Sequence, residues 1–288
     1  MATVRRGGGP RRVLEICRSV HTAPDGQVQA VGSWLSAERG ELGAVGAVLG
    51  PNDYQLLLVE APDVLPAEMR AAVRWRLKDA IDFPVDEAVV DVFEIPEQVR
   101  RTGSKMMYAI AARRAAVERK VAMLRPVGRS FDVIDIPELA LRNLAALLPE
   151  AADGLILLWH RKGSAQILVV KQATLYLARQ VHYAPGLAGP GQAGPGALPD
   201  VDAIALEMQR SMDYFESHYE QAPIRHLVIA PGGDVAQRLA AALGTETAMR
   251  TAVIDVSGAL ELSASIDIAD PMSLLALGAA LRDEKKQA

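Results

Sequence analysis

The chain has 288 residues, 50% of them hydrophobic, and a formal net charge of −4. This length allows two compact units, each with a core of its own. The apolar content excludes an intrinsically disordered chain, and the mild negative charge argues against a nucleic-acid-binding domain. A single cysteine, Cys17, excludes an internal disulfide framework and a cysteine-rich zinc site, and it fits a reducing compartment.

A soluble protein is expected, because the sequence holds neither a secretory signal nor a run of about 18 apolar residues that could cross a bilayer. The N-terminus is basic, with Arg5, Arg6, Arg11 and Arg12. Two interpretations of it remain open, a frayed and solvated end or a segment that binds anionic lipid headgroups.

The first half of the chain alternates short strands and helices. Strands are predicted at residues 12–19 and 27–34, joined by the turn chemistry of residues 23–26 (APDG). A helix weakened by glycines follows at 37–49, and the apolar run at 54–61 predicts a buried strand. The later elements are predicted as a helix at 65–81, strands at 88–95 and 105–112, a helix at 115–124, a strand at 130–135 and a helix at 137–148.

A long helix at residues 199–221 organises the second half. Apolar side chains recur along it at helical spacing and form one stripe: Val201, Ile204, Ala205, Met208, Met212, Phe215 and Tyr219. Asp200 is the expected N-cap, and Pro223 is the expected stop.

The strands around this helix predict the fold of the second half. Three apolar runs precede it as in an antiparallel meander, at 155–160, 165–171 and 174–181. After it come a strand at 225–230, a helix at 235–243, a strand at 248–256 and a helix at 271–281. This order, βββ-α-β-α-β-α, is that of a ribonuclease-H-like half, the unit of actin-type folds. The Gly/Pro/Ala-rich loop 184–198 is either a tolerated insertion or a segment with a regulatory or lid role.

Four segments, taken in order and spacing, resemble the PilM-like family of type IV pilus proteins. Residues 68–91 (EMRAAVRWRLKDAIDFPVDEAVVD) are similar to its run of helix, aromatic-proline, acidic patch and strand. Residues 206–216 (LEMQRSMDYFE) look like the corresponding helix of the MshI branch, which serves the mannose-sensitive haemagglutinin (MSHA) pilus. Residues 135–144 (DIPELALRNL) and 271–282 (PMSLLALGAALR) resemble the ends of the family's two halves.

The resemblance implies an α/β, actin-like fold of tandem ribonuclease-H-like halves. The first half would span 1–150, with a small subdomain inserted near 82–131, and the second would span 151–288. Family membership also implies a cytoplasmic piece of a pilus assembly platform at the bacterial inner membrane. Such a protein binds inner-membrane assembly proteins, including a bitopic PilN-like partner, and self-association is left open.

PilM-type relatives bind ATP between their halves, through loops that this chain largely replaces. The matching segments are 15–17 (EIC) and 159–161 (WHR), which lack the glycine and the metal-holding carboxylate of the two phosphate loops. Only the adenosine-side pattern persists, at Gly232 and Gly233, and a plain strand-to-helix turn is the alternative for it. We therefore expect no cofactor, ATP included, and no enzyme activity. The rival interpretation is an ATP-binding member whose nucleotide state regulates partner binding.

No metal site is expected, because no histidine lies four residues from another and no carboxylate spacing supports one.

The partner's peptide is expected at the inserted subdomain, since PilM-type relatives hold it in a groove of the first half. Phe93, Met106 and Tyr108 are the predicted pocket walls, and Arg113 and Arg114 would meet an acidic segment. The alternative is that the apolar residues only fill the core of the insertion.

The helix before Phe83 carries a second candidate surface. Trp75 stands there among Arg70, Arg74 and Arg76. This pattern indicates either an ordinary solvated face with the indole at the rim of the core, or a docking surface.

Overall fold

A computed structural model describes residues 2–6, 12–17, 24–37, 44–95, 105–161, 163–183, 199–263 and 266–282. The α-helices, in chain order, are α1 Pro24–Ala37, α2 Met69–Leu77, α3 Arg114–Ala122, α4 Pro137–Ala145, α5 Val201–Tyr219, α6 Asp234–Thr247 and α7 Pro271–Ala280. The strands are β1 Ala2–Arg6, β2 Arg12–Cys17, β3 Gly46–Val48, β4 Tyr54–Glu60, β5 Ala88–Glu94, β6 Met106–Arg113, β7 Val133–Asp135, β8 Leu155–Arg161, β9 Ser164–Lys171, β10 Thr174–His182, β11 His226–Ala230, β12 Arg250–Val253 and β13 Leu260–Leu262. The loop 184–198 lies outside the described residues. In the described part of the chain, no helix combines the length and the apolar character that a bilayer crossing requires.

The chain divides into two compact units, one formed by Met1–Ser19 with Glu138–Ala288 and the other by Val20–Pro137. The N-terminal strands and α4 thus belong to the same compact unit as the second half of the chain. The predicted limits, 1–150 and 151–288, had placed them in the first half. Side-chain bonds explain the place of α4. Gln166 donates to the Glu138 carboxylate at 2.5 Å, and Asn143 donates to the Gly278 carbonyl at 2.9 Å. The division into ribonuclease-H-like halves stays a prediction.

The larger unit is built on a five-stranded sheet of order β10-β9-β8-β11-β12. The first three strands pair antiparallel as a meander, and β11 and β12 continue the sheet in parallel. This is the strand order of a ribonuclease-H-like sheet, so the predicted βββ-α-β-α pattern is confirmed. The short β13, which pairs in parallel with β2, was not expected from the sequence.

The predicted long helix is confirmed as α5, which packs on the side of β9 and β10. Asp200 caps it by accepting the backbone N–H of Ala203 at 3.0 Å. Phe215 and Tyr219 both meet the ring of Tyr176 edge-on, with centroids 5.2 and 5.1 Å apart. The apolar stripe therefore faces the sheet, and burial of each such side chain stabilises the fold by about 1.5–3 kcal/mol.

A second, antiparallel sheet of order β4-β6-β5 forms the core of the smaller unit. The α2 helix covers one face with Val73 and Leu77, which pack with Phe83 and the alternate residues of β6. Because this sheet starts with β4, the predicted insertion near 82–131 covers only part of it. β4 is half-buried rather than fully buried, since it pairs with β6 alone among the described strands.

Three predictions for the first half are wrong. The turn predicted at 23–26 and the strand predicted at 27–34 fall in the helix α1, which begins at Pro24, a residue that a first helical turn accepts. Val28, Val31 and Trp34 recur at helical spacing, which competed with the alternation that had suggested a strand. Within the predicted helix 37–49, residues 46–48 form β3, which pairs in parallel with β7, and residues 38–43 lie outside the description.

The predicted frayed N-terminus is also wrong for residues 2–6. They form β1, which pairs antiparallel with β2, so that Arg5 lies opposite Val13 and Arg6 opposite Arg12. Arg12 in turn donates to the Leu281 carbonyl at 2.8 Å. Arg11 lies outside the described residues.

Candidate functional site

The carboxyl ends of β8 and β11 form the first candidate site. The two strands are parallel neighbours, and Ala230 lies opposite Trp159 where both end. In open α/β sheets ligands bind in the crevice beyond such carboxyl ends. The segments proposed from sequence as the second phosphate loop and the adenosine-side turn do come together here.

The end of β8 is filled by its own side chains. Trp159 is only 2% exposed, so its indole belongs to the core. His160 Nε2 lies 2.9 Å from the Pro231 carbonyl oxygen. Because a carbonyl can only accept, this ring nitrogen carries a proton and donates it. Burial lowers the pKa of His160, against the smaller opposing effect of the Pro231 carbonyl, and favours the neutral ring.

The Gly232–Gly233 turn is occupied by the chain itself. The Gly232 N–H donates to the Ile268 carbonyl at 2.7 Å, and a Cβ on Gly232 would lie 3.0 Å from the Ile268 side chain. Gly233 precedes α6 with a φ of 101°, a conformation that glycine adopts without strain. A Cβ at position 232 would make the Ile268 side chain shift, and the positive φ favours glycine at position 233, so both glycines have an explanation within the chain itself.

The N-terminus of α6 is also a poor anion site. A helix N-terminus attracts phosphate through its free N–H groups and its dipole. Here Asp234 lies in the first turn, and its negative charge opposes the binding of an anion there.

The position assigned to the first phosphate loop needs correction. Glu15 and Cys17 lie on β2, the second strand of the N-terminal hairpin, whereas the family's loop follows its first strand. The segment after β1 is residues 7–11 (GGGPR), which lies outside the described residues. Glu15 and Cys17 are therefore not the counterparts of that loop. Among the described residues, no cluster of three or more histidine, cysteine or carboxylate side chains could hold a metal ion.

The predicted partner surface lies on β5 and β6. Phe93 and Tyr108 are directly opposite each other, and their rings stack with centroids 5.0 Å apart. Tyr108 is only 2% exposed and so belongs to the core, while Phe93 and Met106 are half-buried. β5 ends the described sheet, so its outer edge is where an extended peptide would add.

The two predicted arginines differ in their surroundings. Arg113 Nη2 lies 2.9 Å from Asp82 Oδ1, and its guanidinium sits 4.2 Å from the centroid of the Phe83 ring. Arg113 therefore stabilises the loop after α2, which contains both of these contacts. Arg114 is the first residue of α3 and is exposed. Of the pair, Arg114 is the one that presents its charge to solvent.

The α2 helix combines bound arginines with an outward tryptophan. Arg74 donates to the carbonyls of Val85 and Ala88 at 3.0 and 2.7 Å, so it holds the next loop in place. Trp75 is 77% exposed and is not at the rim of the core. On a helical wheel Trp75 lies on the side opposite Val73, so the exposure of Trp75 could have been predicted from the sequence.

No family model and no curated protein matches this chain. Among solved structures, it aligns with a PilM–PilN type IV pilus biogenesis complex at a TM-score of 0.71 and 20% identity, over 97% of this chain and 94% of that one. It is also similar to the cytoplasmic domain of EpsL, an inner membrane component of the type II secretion system of Vibrio cholerae, at a TM-score of 0.45 and 15% identity over 89% and 80% of the two chains. A Bacteroides thetaiotaomicron protein with an actin-like ATPase fold and unknown function gives 0.46 at 7% identity over 86% and 80%. The first match and the order of the five-stranded sheet agree with the fold predicted from sequence: the chain has an actin-like α/β fold, like the PilM–PilN structure.

Proposed function

We propose that this chain is a non-catalytic scaffold of a type IV pilus assembly platform, held at the cytoplasmic face of the inner membrane by a bitopic PilN-like partner. One observation carries the proposal, the match to the PilM–PilN complex over 97% of this chain and 94% of that one. A near-complete match in both directions supports a shared architecture rather than one shared module. The finer proposal is that the chain is of the MSHA type and resembles MshI. It rests on residues 206–216, which form the middle of α5 and include both exposed and buried positions.

The scaffold role is supported by the contents of the crevice at the end of the large sheet. Trp159 is buried there, His160 bonds to Pro231, and Gly232 bonds to Ile268. The last two contacts pair a ring nitrogen and a backbone N–H at this edge of the sheet with the chain's own carbonyls. Catalysis of phosphoryl transfer needs positioned cations and a water-orienting group, and no acid stands at 159–161.

The second candidate is an ATP-binding protein whose nucleotide state regulates partner binding. It is favoured by Gly7, Gly8 and Gly9, which directly follow β1 in the sequence. Glycine-rich segments after a strand are the ones that bring bare backbone N–H groups to a phosphate.

The partner surface proposed for the scaffold is the outer edge of β5 with Arg114 beside it. Phe93 and Met106 are half-buried and offer partial pockets, whereas Tyr108 and Arg113 act as internal supports. A peptide that adds to β5 would gain main-chain hydrogen bonds, and an acidic side chain on it would meet Arg114.

The test is direct binding to a membrane partner. The tagged chain is cross-linked in membranes and purified, and a synthetic peptide from the cytoplasmic segment of each recovered bitopic protein is titrated into the purified chain. We expect saturable binding of one such peptide. If no recovered bitopic protein supplies a peptide that binds, the scaffold proposal is wrong.

A further inference from the structure

The outer side of α2, together with the cap residue at each of its ends, carries a stripe of four exposed residues, Glu68, Ala71, Trp75 and Lys78. Their spacing of three, four and three residues keeps them on one side of the helix. The opposite side, with Val73 and Leu77, is buried against the small sheet. The helix is therefore packed against the small sheet on one side, and the stripe on its other side is exposed to solvent.

Two arginines beside the stripe are already paired with carboxylates. Arg70 pairs with Asp91 at 2.8 Å, and Arg76 pairs with Glu60 at 3.2 Å. Glu68 and Lys78, in contrast, form no ion pair with any side chain that the structure describes. Both ends of the stripe thus carry an unmatched charge, acidic at the start and basic at the end.

This arrangement is complementary to itself. Glu68 and Lys78 lie five residues on either side of Val73, and Ala71 and Trp75 lie two residues on either side. We propose that α2 mediates self-association, with two copies packing antiparallel about a two-fold axis level with Val73. Trp75 then covers Ala71 of the second copy, and Glu68 faces Lys78 of the second copy.

Helix geometry permits this pairing. Each residue rises by about 1.5 Å, so residues five positions from the axis on one helix stand level with their counterparts on an antiparallel neighbour. The axes of packed helices lie roughly 8–10 Å apart, and the small side chain of Ala71 leaves room for an indole at that distance. A two-fold interface uses the same patch twice, so each contact occurs twice.

The association should be weak and reversible. A standard interface buries about 800 Å² on each partner, and three turns of one helix provide less. Trp75 is the expected anchor, because tryptophan dominates the energy of small interfaces. The charge pairs mainly fix the antiparallel orientation.

The experiment uses charge reversals that leave the fold intact. Glu68→Lys places lysines at both ends of the stripe, and Lys78→Glu places carboxylates at both ends, so each variant repels itself. We expect each to weaken self-association by about tenfold or more in sedimentation equilibrium. Trp75→Ala should weaken it by at least as much. Leu206→Ser, which alters an exposed apolar residue on α5, is the matched control and should associate like the wild type.

Mixing provides the sharper test. An equimolar mixture of the two single variants restores both opposite-charge contacts across the axis, so heterodimers should form with wild-type affinity. The double variant Glu68→Lys/Lys78→Glu should also recover. A wild-type chain that stays monomeric at its highest soluble concentration overturns the proposal. A mixture that associates no better than its separate components also overturns the proposal. In that case α2 does not pair with α2 of a second copy, and self-association uses another surface.

Discussion

Gly278 on α7 lies so close to Ala140 on α4 that a Cβ at position 278 would overlap the Ala140 carbonyl oxygen. One turn along α4, Asn143 Nδ2 donates to the carbonyl of Gly278 at 2.9 Å. The two helices therefore touch backbone to backbone. This contact gives a physical reason for the small-residue ending at 276–282 (ALGAALR), which had suggested a resemblance to pilus proteins.

Gly278→Ala is expected to destabilise the protein by about 2–3 kcal/mol, because the added methyl group forces one helix away from the other. The free energy of unfolding in urea measures this loss. Gly258→Ala is the control, since a Cβ there meets no atom within 4 Å and should change stability by no more than about 0.5 kcal/mol. Equal unfolding midpoints for the Gly278→Ala variant and the wild type would contradict the close contact.

The second half of the fold could be predicted because its signals are local. The stripe of α5 and the meander before it are long, regular patterns, and both appear with ends shifted by only a few residues. In α1 the two periods compete: Val28 and Ala30 alternate as in a strand, while Val28 and Val31 fit a helix. Such a segment is decided by packing rather than by its own sequence.

The contents of the candidate sites could not be predicted, because they depend on residues far apart in the chain. His160 meets Pro231, and Gly232 meets Ile268, with several strands and helices between the partners in the chain. The pairing of Arg113 with Asp82 and the Phe83 ring depends on how α2 and β6 pack. Residue types alone had suggested that Arg113 was free for a partner.

His160 should make stability depend on pH. Burial lowers its pKa in the folded protein, so the unfolded chain takes up a proton first, near its ordinary pKa of about 6.5. The stability due to neutral His160 is fully present above that pH and is lost as the pH falls through the lowered pKa. The slope from this one group is at most about 1.4 kcal/mol per pH unit.

The measurement compares unfolding free energies of the wild type and His160→Gln between neutral and mildly acidic pH. The variant should be less stable at neutral pH, and the gap should narrow as the pH falls. His182→Gln, at an exposed position on β10, controls for loss of an imidazole. A gap that is constant with pH would show that His160 does not change its protonation state on unfolding in this range.

ATP with magnesium should not raise the melting temperature. A ligand at 100 times its Kd adds about 2.7 kcal/mol to stability, which a thermal-shift assay detects easily. We expect no shift at millimolar ATP, because at the end of the large sheet Trp159 is buried, His160 bonds to Pro231 and Gly232 bonds to Ile268.

A positive shift would favour the nucleotide-regulated alternative, and the triple variant Gly7→Ala/Gly8→Ala/Gly9→Ala would locate it. Loss of the shift in that variant would assign phosphate binding to the segment after β1. Substitution of Gly232 is a less direct test, because an added Cβ would lie 3.0 Å from the Ile268 side chain, which must then shift.

Arg113 and Arg114 should separate folding from partner binding. Arg113→Ala removes the Asp82 ion pair and the contact with the Phe83 ring, and we expect a loss of about 1–2 kcal/mol in unfolding free energy.

Arg114→Glu should fold as well as the wild type, since a carboxylate in the first turn of α3 interacts favourably with the helix dipole. Its affinity for an acidic partner peptide should fall by about tenfold, the effect of roughly 1.4 kcal/mol. Arg225→Glu reverses an exposed charge just before β11, in the larger unit, and is the control for a general loss of positive charge. If Arg114→Glu binds the peptide like the wild type, or if Arg225→Glu weakens binding equally, the peptide does not dock beside α3.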